Sequence, residues 1–187
     1  MKRTLTFIAV LLVAVTALAQ EAPKRYGIKS GEIKTQTDMM GQIIEATTYF
    51  DDYGAKQYAR TKMSMMGMDI DMGTLNRDGK SYMINYDEKT VQEMPQQESI
   101  NYMDLNEATV AKFKVKEIGK EVVGGKECTQ YSVEISQMGQ TVKTKASVWN
   151  GIPMKTVTDA MGMSITAEVV EIKEGPVDAT LFEVPKF

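Results

Sequence analysis

The 187 residues hold 22 Lys and Arg against 25 Asp and Glu, with no histidine, one cysteine and 15 methionines. A mild acidic excess without any basic block disfavours nucleic acid or an anionic membrane as the main partner. The missing histidine removes the commonest general base and metal ligand, and a lone cysteine excludes an internal disulfide framework.

Met1-Lys2-Arg3 precedes an apolar run from Leu5 to Leu18, broken by Thr6 and Thr16, that ends in Ala17-Leu18-Ala19. A basic start, a short apolar stretch and small residues two apart are the three parts of a secretory signal peptide. The run falls short of the roughly 20 residues that span a bilayer, and no cysteine stands at the cut to accept a lipid. Residues 1–19 are therefore expected to be removed, leaving residues 20–187 as a single domain. That domain should be soluble, periplasmic or otherwise exported, and not membrane-anchored. Loss of Lys2 and Arg3 leaves 20 basic against 25 acidic residues, a formal charge of −5.

Polar and apolar residues then alternate, the mark of half-buried strands. Residues 26–38, 42–50, 56–66, 68–75, 80–86 and 89–94 read as six strands, with turns at Asp51-Asp52-Tyr53-Gly54, Asn76-Arg77-Asp78-Gly79 and, more weakly, Asp87-Glu88. Between the halves, Asp104 and Glu107 have the spacing of a capping box, and Leu105, Ala108, Ala111 and Phe113 supply an apolar face. One helix is expected over 104–114. Residues 116–123, 127–135, 141–149, 155–158 and 164–173 complete the strands, with a break at Gly124-Gly125.

Met-Gly recurs between alternating segments at 40–41, 66–67, 138–139 and 161–162. Glycine supplies the positive φ of a hairpin loop, but methionine suits the first position of a two-residue loop poorly, so slightly longer loops are expected. If Met66-Gly67 is nonetheless a two-residue turn, Met65 faces Met68, Met63 faces Ile70 and Thr61 faces Met72. One face then carries Met63, Met65, Met68, Ile70 and Met72, and the other carries Lys62, Ser64, Asp69 and Asp71. The same rule at Met138-Gly139 groups Tyr131, Val133, Ile135, Val142 and Val148, with Glu134 opposite Lys143. A one-residue slip would scramble both separations. The fold class is mainly β, a long antiparallel meander. So many strands in one open sheet must curl, into a strongly curved sheet or partial barrel.

Catalytic signatures are lacking: no Gly-x-Ser-x-Gly elbow, no phosphate-cradling loop and no Cys-His pair. Asp69 and Asp71, two apart on one strand, read as a solvated β face rather than an acid/base pair. Asp69-x-Asp71-x-Gly73 lacks the bidentate glutamate of a calcium loop. The chain is expected not to be an enzyme and to need no cofactor. Cys128 reads as a small buried hydrophobe, with pairing between molecules as the alternative. The five methionines between Met63 and Met72 admit three readings: core filling, a deformable surface for a hydrophobic ligand, or a thioether Cu(I) site of Met63, Met65, Met68 and Met72.

Several stretches carry a resemblance. They are Arg77-Asp78-Gly79-Lys80-Ser81-Tyr82-Met83-Ile84-Asn85-Tyr86 with the following Asp87 to Pro95, Gly119-Lys120-Glu121 through Gly125-Lys126-Glu127-Cys128-Thr129-Gln130-Tyr131, Trp149-Asn150-Gly151-Ile152-Pro153-Met154-Lys155, and Leu181-Phe182-Glu183-Val184-Pro185. Together they resemble a group of exported bacterial proteins similar to the LolA/LolB lipoprotein-carrier superfamily, over nearly all of residues 25–187. The resemblance implies a half-open antiparallel barrel with an apolar concave side covered by one or few helices. It implies a binding protein for lipid or acyl-chain ligands, and makes Arg60 the positional candidate for a carrier's arginine. A Met-based Cu(I)-handling protein, or an envelope structural or stress protein without a small ligand, are the other functions open at this point.

Overall fold

The computed structural model describes residues 23–187 apart from 40, 66–67, 96–98, 138–139 and 161. The expected signal peptide lies outside the described residues. Eleven strands follow in order: β1 (Gly31–Met39), β2 (Gln42–Asp51), β3 (Lys56–Met65), β4 (Met68–Arg77), β5 (Lys80–Asn85), β6 (Thr90–Met94), β7 (Lys116–Val123), β8 (Lys126–Gln137), β9 (Gln140–Trp149), β10 (Ile152–Ala160) and β11 (Met163–Glu174). They form one antiparallel sheet in the order β6-β5-β4-β3-β2-β1-β11-β10-β9-β8-β7. The two halves of the chain are thus separate meanders joined where β1 pairs with β11. The sheet is open, with β6 and β7 as its edges. Twist of about 20° per strand pair accumulates to roughly 200° over ten pairs, so such a sheet rolls rather than lies flat.

Register follows the alternation. Met65 pairs with Met68, Met63 with Ile70 and Thr61 with Met72; Ile135 pairs with Val142 and Glu134 with Lys143. The expectation of longer loops is corrected. Met39 pairs with Gln42, Gln137 with Gln140 and Ala160 with Met163, which leaves two residues at each Met-Gly position. Gly41 and Gly162 supply the positive φ, +83° and +78°; glycine at the second position outweighs the poor fit of methionine at the first.

The expected helix is shorter. α1 spans Glu107–Phe113, capped by Asn106, whose Oδ1 accepts the Thr109 N–H at 2.9 Å. Asp104 is not the cap, because its own N–H closes a turn onto the Asn101 carbonyl at 3.1 Å. α1 rests against β8 and buries none of its side chains. The first strand starts at Gly31 rather than Tyr26: residues 25–28 instead cross the sheet, with Tyr26 edge-on to Phe50 at 5.0 Å.

Two buried clusters hold the fold. One joins Ile28, Ile33, Phe50, Cys128, Ile152 and Val169, and Cys128 is buried there with a free thiol. The other joins Tyr58, Leu75 and Ile84 to Phe182, from a 3-10 turn at Ala179–Phe182. Asp178 opens that turn by accepting the Thr180 N–H.

Candidate functional site: the uncharged face of the sheet

Side chains of a strand alternate between faces, so the register sorts the sheet into two surfaces. On β1–β5 one face carries no Asp, Glu, Lys or Arg: it runs through Ile33, Thr35, Ile44, Ala46, Ala59, Thr61, Met63, Ile70, Met72, Thr74 and Met83. The opposite face of the same strands carries Glu32, Lys34, Glu45, Arg60, Lys62, Asp69 and Asp71. The uncharged surface continues across β11 through Ile165 and Ala167, across β9 through Thr144 and Ala146, and onto Val133 of β8. Thr144 and Thr158 satisfy one another's hydroxyls there at 3.0 Å.

Met63, Ile70 and Met72 share this surface by register, and the Cα of Met65 pairs with that of Met68 in the same ladder. Met63, Ile70 and Met72 are half-buried; the side chains of Met65 and Met68 lie outside the described residues. Met63 and Met72 are diagonal neighbours, a separation of about 7–8 Å at which long side chains still meet.

At one end the surface is roofed. Asp52, Tyr53 and Gly54 all take positive φ, 51°, 55° and 83°. For the two non-glycine residues this costs about 1 kcal/mol each. The turn is held because the Tyr53 carbonyl accepts the N–H groups of Arg25 and Tyr26 while Tyr53 donates its own to the Lys29 carbonyl. Lys24 adds a cation over the Tyr53 ring at 4.1 Å. Residues 24–28 are thereby laid across the uncharged face. Residues 99–103 brace them: Arg25 donates to Ser99 Oγ at 2.5 Å and Asn101 donates to the Lys24 carbonyl at 3.0 Å. Tyr102 stacks tilted on Tyr131, and burial pushes its phenol up to about 12. Beneath this roof a cleft of about 450 Å³ opens on Gln57, Thr74, Asn76, Ser81, Met83 and Met94, all on the uncharged face.

The opposite face of β3–β5 is occupied by the chain itself. Phe182 and Leu181 pack on Tyr58, Leu75 and Ile84, and Phe187 stands edge-on to Tyr86 at 5.9 Å. Arg60 lies here, away from the methionines, so the expected carrier arginine does not face that cluster. It forms a two-pronged pair with Asp71, at 2.8 and 2.6 Å, and lies 4.2 Å over the Tyr86 ring. Asp71 is thus not the freely solvated carboxylate expected beside Asp69. The guanidinium holds its carboxyl below the usual range. Tyr58 and Tyr86 share a hydroxyl hydrogen bond of 2.7 Å, and burial raises the Tyr58 phenol.

Two features were missed in sequence. The C-terminal cover had a faint signal, Asp178 two residues before Thr180 ahead of Leu181-Phe182. Arg25 had none, because its place depends on a left-handed turn at Asp52-Tyr53-Gly54 that read simply as a turn.

Among the described residues no group of three or more His, Cys, Asp or Glu is set to hold a metal, and no helix is long and apolar enough to cross a membrane. Residues 134–186 match the family described as Domain of unknown function (DUF4412). No curated protein matches in sequence. Among solved structures, the chain is similar to an uncharacterized conserved protein from Thermus thermophilus, at 13% identity and TM-score 0.58 over 84% of this chain and 86% of that one. It is also similar to the MucA/MucB complex of Pseudomonas aeruginosa, at 12% identity and TM-score 0.53 over 81% of this chain and 54% of that one. A looser likeness, 11% identity and TM-score 0.44 over 81% and 90%, is to the Mycobacterium tuberculosis lipoprotein LppX. At these identities the likeness is one of fold alone.

Proposed function

We propose that this is a non-enzymatic binding protein that holds a lipid or acyl chain against the uncharged face of its sheet, and that it works outside the inner membrane after loss of residues 1–19. One observation carries the reading. Strands β1–β5 present a face of Met, Ile, Ala and Thr that is largely half-buried, whereas the opposite face of β3–β5 is filled by the chain's own C-terminus. Ligand sites for apolar molecules have this form, a broad apolar lining with a few polar groups at one end. Met63, Met65, Met68, Ile70 and Met72 form the deformable part of the lining, since thioethers adapt to irregular shapes.

Titration with dansyl-undecanoic acid tests it. The wild type should bind the probe saturably. The double variant Met65→Leu/Met68→Leu should keep binding, because such volume-conserving swaps usually cost under about 1.5 kcal/mol each. Met63→Asp/Met72→Asp should abolish it by placing charge in the lining. If instead no probe binds, and Cu(I) held against a competing chelator is lost in the leucine pair, the lipid reading falls and the thioether Cu(I) site takes its place.

A further inference from the structure

Resting on the acyl-binding reading, we propose that the roofed end of the uncharged face is a headgroup site, and that the ligand is a single-chain amphiphile with an anionic head recognised by Arg25. Three cations border the cleft, Arg25, Arg77 and Lys80, but strand parity puts Arg77 and Lys80 on the opposite, charged face, which leaves Arg25 as the cation of the uncharged side. There Arg77 donates to the Phe182 carbonyl at 2.7 Å and to Asp78 at 2.8 Å, and Lys80 pairs with Glu93 at 3.3 Å. Arg25 donates instead to a neutral hydroxyl, Ser99 Oγ.

The polar floor is ordered. Ser81 Oγ donates to Asn76 Oδ1 at 2.6 Å. Gln57 donates to the Gly54 carbonyl at 2.8 Å and accepts from Tyr26 Oη at 3.2 Å. These bonds fix Gln57 and Asn76 beneath Arg25, so a head entering the cleft meets set polar groups. Beyond them the same face turns apolar along β4, through Thr74 and Met72 to Ile70. Polar end and apolar run are therefore collinear, with the strand from Asn76 to Met68 extending roughly 26 Å at about 3.3 Å per residue. An extended acyl chain fits that direction with its head under the roof. The left-handed turn at Asp52–Gly54 acts as the positioning device, since it anchors the backbone that carries Arg25.

The test compares dansyl-undecanoic acid with its methyl ester, identical in chain and dye. The full chain without its first nineteen residues should prefer the carboxylate by about tenfold, the low end of what a charge-assisted hydrogen bond is worth. Arg25→Gln should remove that preference, and Arg25→Lys should keep part of it. The backbone N–H of Arg25, which bonds the Tyr53 carbonyl, is present in both variants, so that anchor of the roof is kept. Undecyl phosphate and undecanol, added as competitors, separate a general anion site from a carboxylate-selective one; either outcome in which the anion wins supports the proposal. Equal binding of acid and ester by the wild type would overturn it while leaving the apolar trough intact. A carboxylate preference unchanged in Arg25→Gln would do the same. Binding of neither probe would overturn both.

Discussion

The two faces of the β3–β4 hairpin are built from neighbouring residues yet do different work. On one, Tyr58, Leu75 and Ile84 are buried under Phe182, and Arg60 and Asp71 satisfy one another at its margin. On the other, Met63, Ile70 and Met72 stay half-buried. Apolar surface is normally withdrawn from water. Where the chain could cover it, with its own C-terminus, it did; where it left a broad uncharged surface partly open, a ligand has room. Full burial against a segment of the chain builds stability, and partial burial against nothing fixed is what a binding surface requires.

The largest expected effect strikes the covered face. Phe182→Ala should cost about 3 kcal/mol or more in a urea melt, because a buried ring is lost and its cavity cannot collapse onto a rigid sheet. Met72→Ala, on the open face, should cost about 1 kcal/mol, in line with partial burial. Equal losses would mean that both faces are core, and the contrast would disappear.

Gly151→Ala comes next, and attacks the roof. Its φ is +76°, and a Cβ there would lie 2.2 Å from the Arg25 carbonyl oxygen and 2.6 Å from Met103 Cγ. The left-handed backbone alone costs a non-glycine residue about 1–2 kcal/mol, and the clash should push residues 24–28 off the sheet. Faster proteolysis near Arg25, together with lost preference for the carboxylate probe, is the expected readout. A variant with native melting and native preference would show that the roof does not depend on this crossing.

The smallest effect belongs to the Arg60–Asp71 pair. Asp71→Asn should cost about 1 kcal/mol at neutral pH, since the pair is two-pronged but half-exposed. The paired carboxyl titrates below its unfolded value. Its contribution is therefore present above the ordinary carboxylate pKa and lost as pH falls through the depressed one. Urea midpoints of wild type and variant should converge in acid. Persistence of the gap would assign the cost to packing with Tyr86 rather than to charge. Probe binding should be unaffected throughout, because the pair faces away from the methionines.

Much of this was legible in the sequence, for physical reasons that differ by element. Strict alternation and glycine at each hairpin fixed the strands and the pairings of Met63 with Ile70 and Glu134 with Lys143, because a slip would put charge on the apolar face. Extending the same parity to β1 and β2 would also have found the Thr35–Ala46 and Ile33–Thr48 pairs, and with them the full width of the uncharged surface. Other features depend on tertiary contact and left no local signal. Asp104 had cap spacing but was drawn into a turn by Asn101. Arg60 matched a position yet fell on the charged face by strand parity. Arg25 gains its place from contacts with Tyr53 and Ser99, residues far away in sequence.

The face assignment can be tested most directly by photolabelling. The protein would be irradiated with a long-chain fatty acid carrying a diazirine near its methyl end, and adducts located residue by residue. Labels on Met63, Ile70, Met72 or Ile44, suppressed by unlabelled fatty acid, are the expected result. Labels confined to Tyr58, Tyr86 or the residues of the C-terminal cover, or labelling that fatty acid does not suppress, would contradict it.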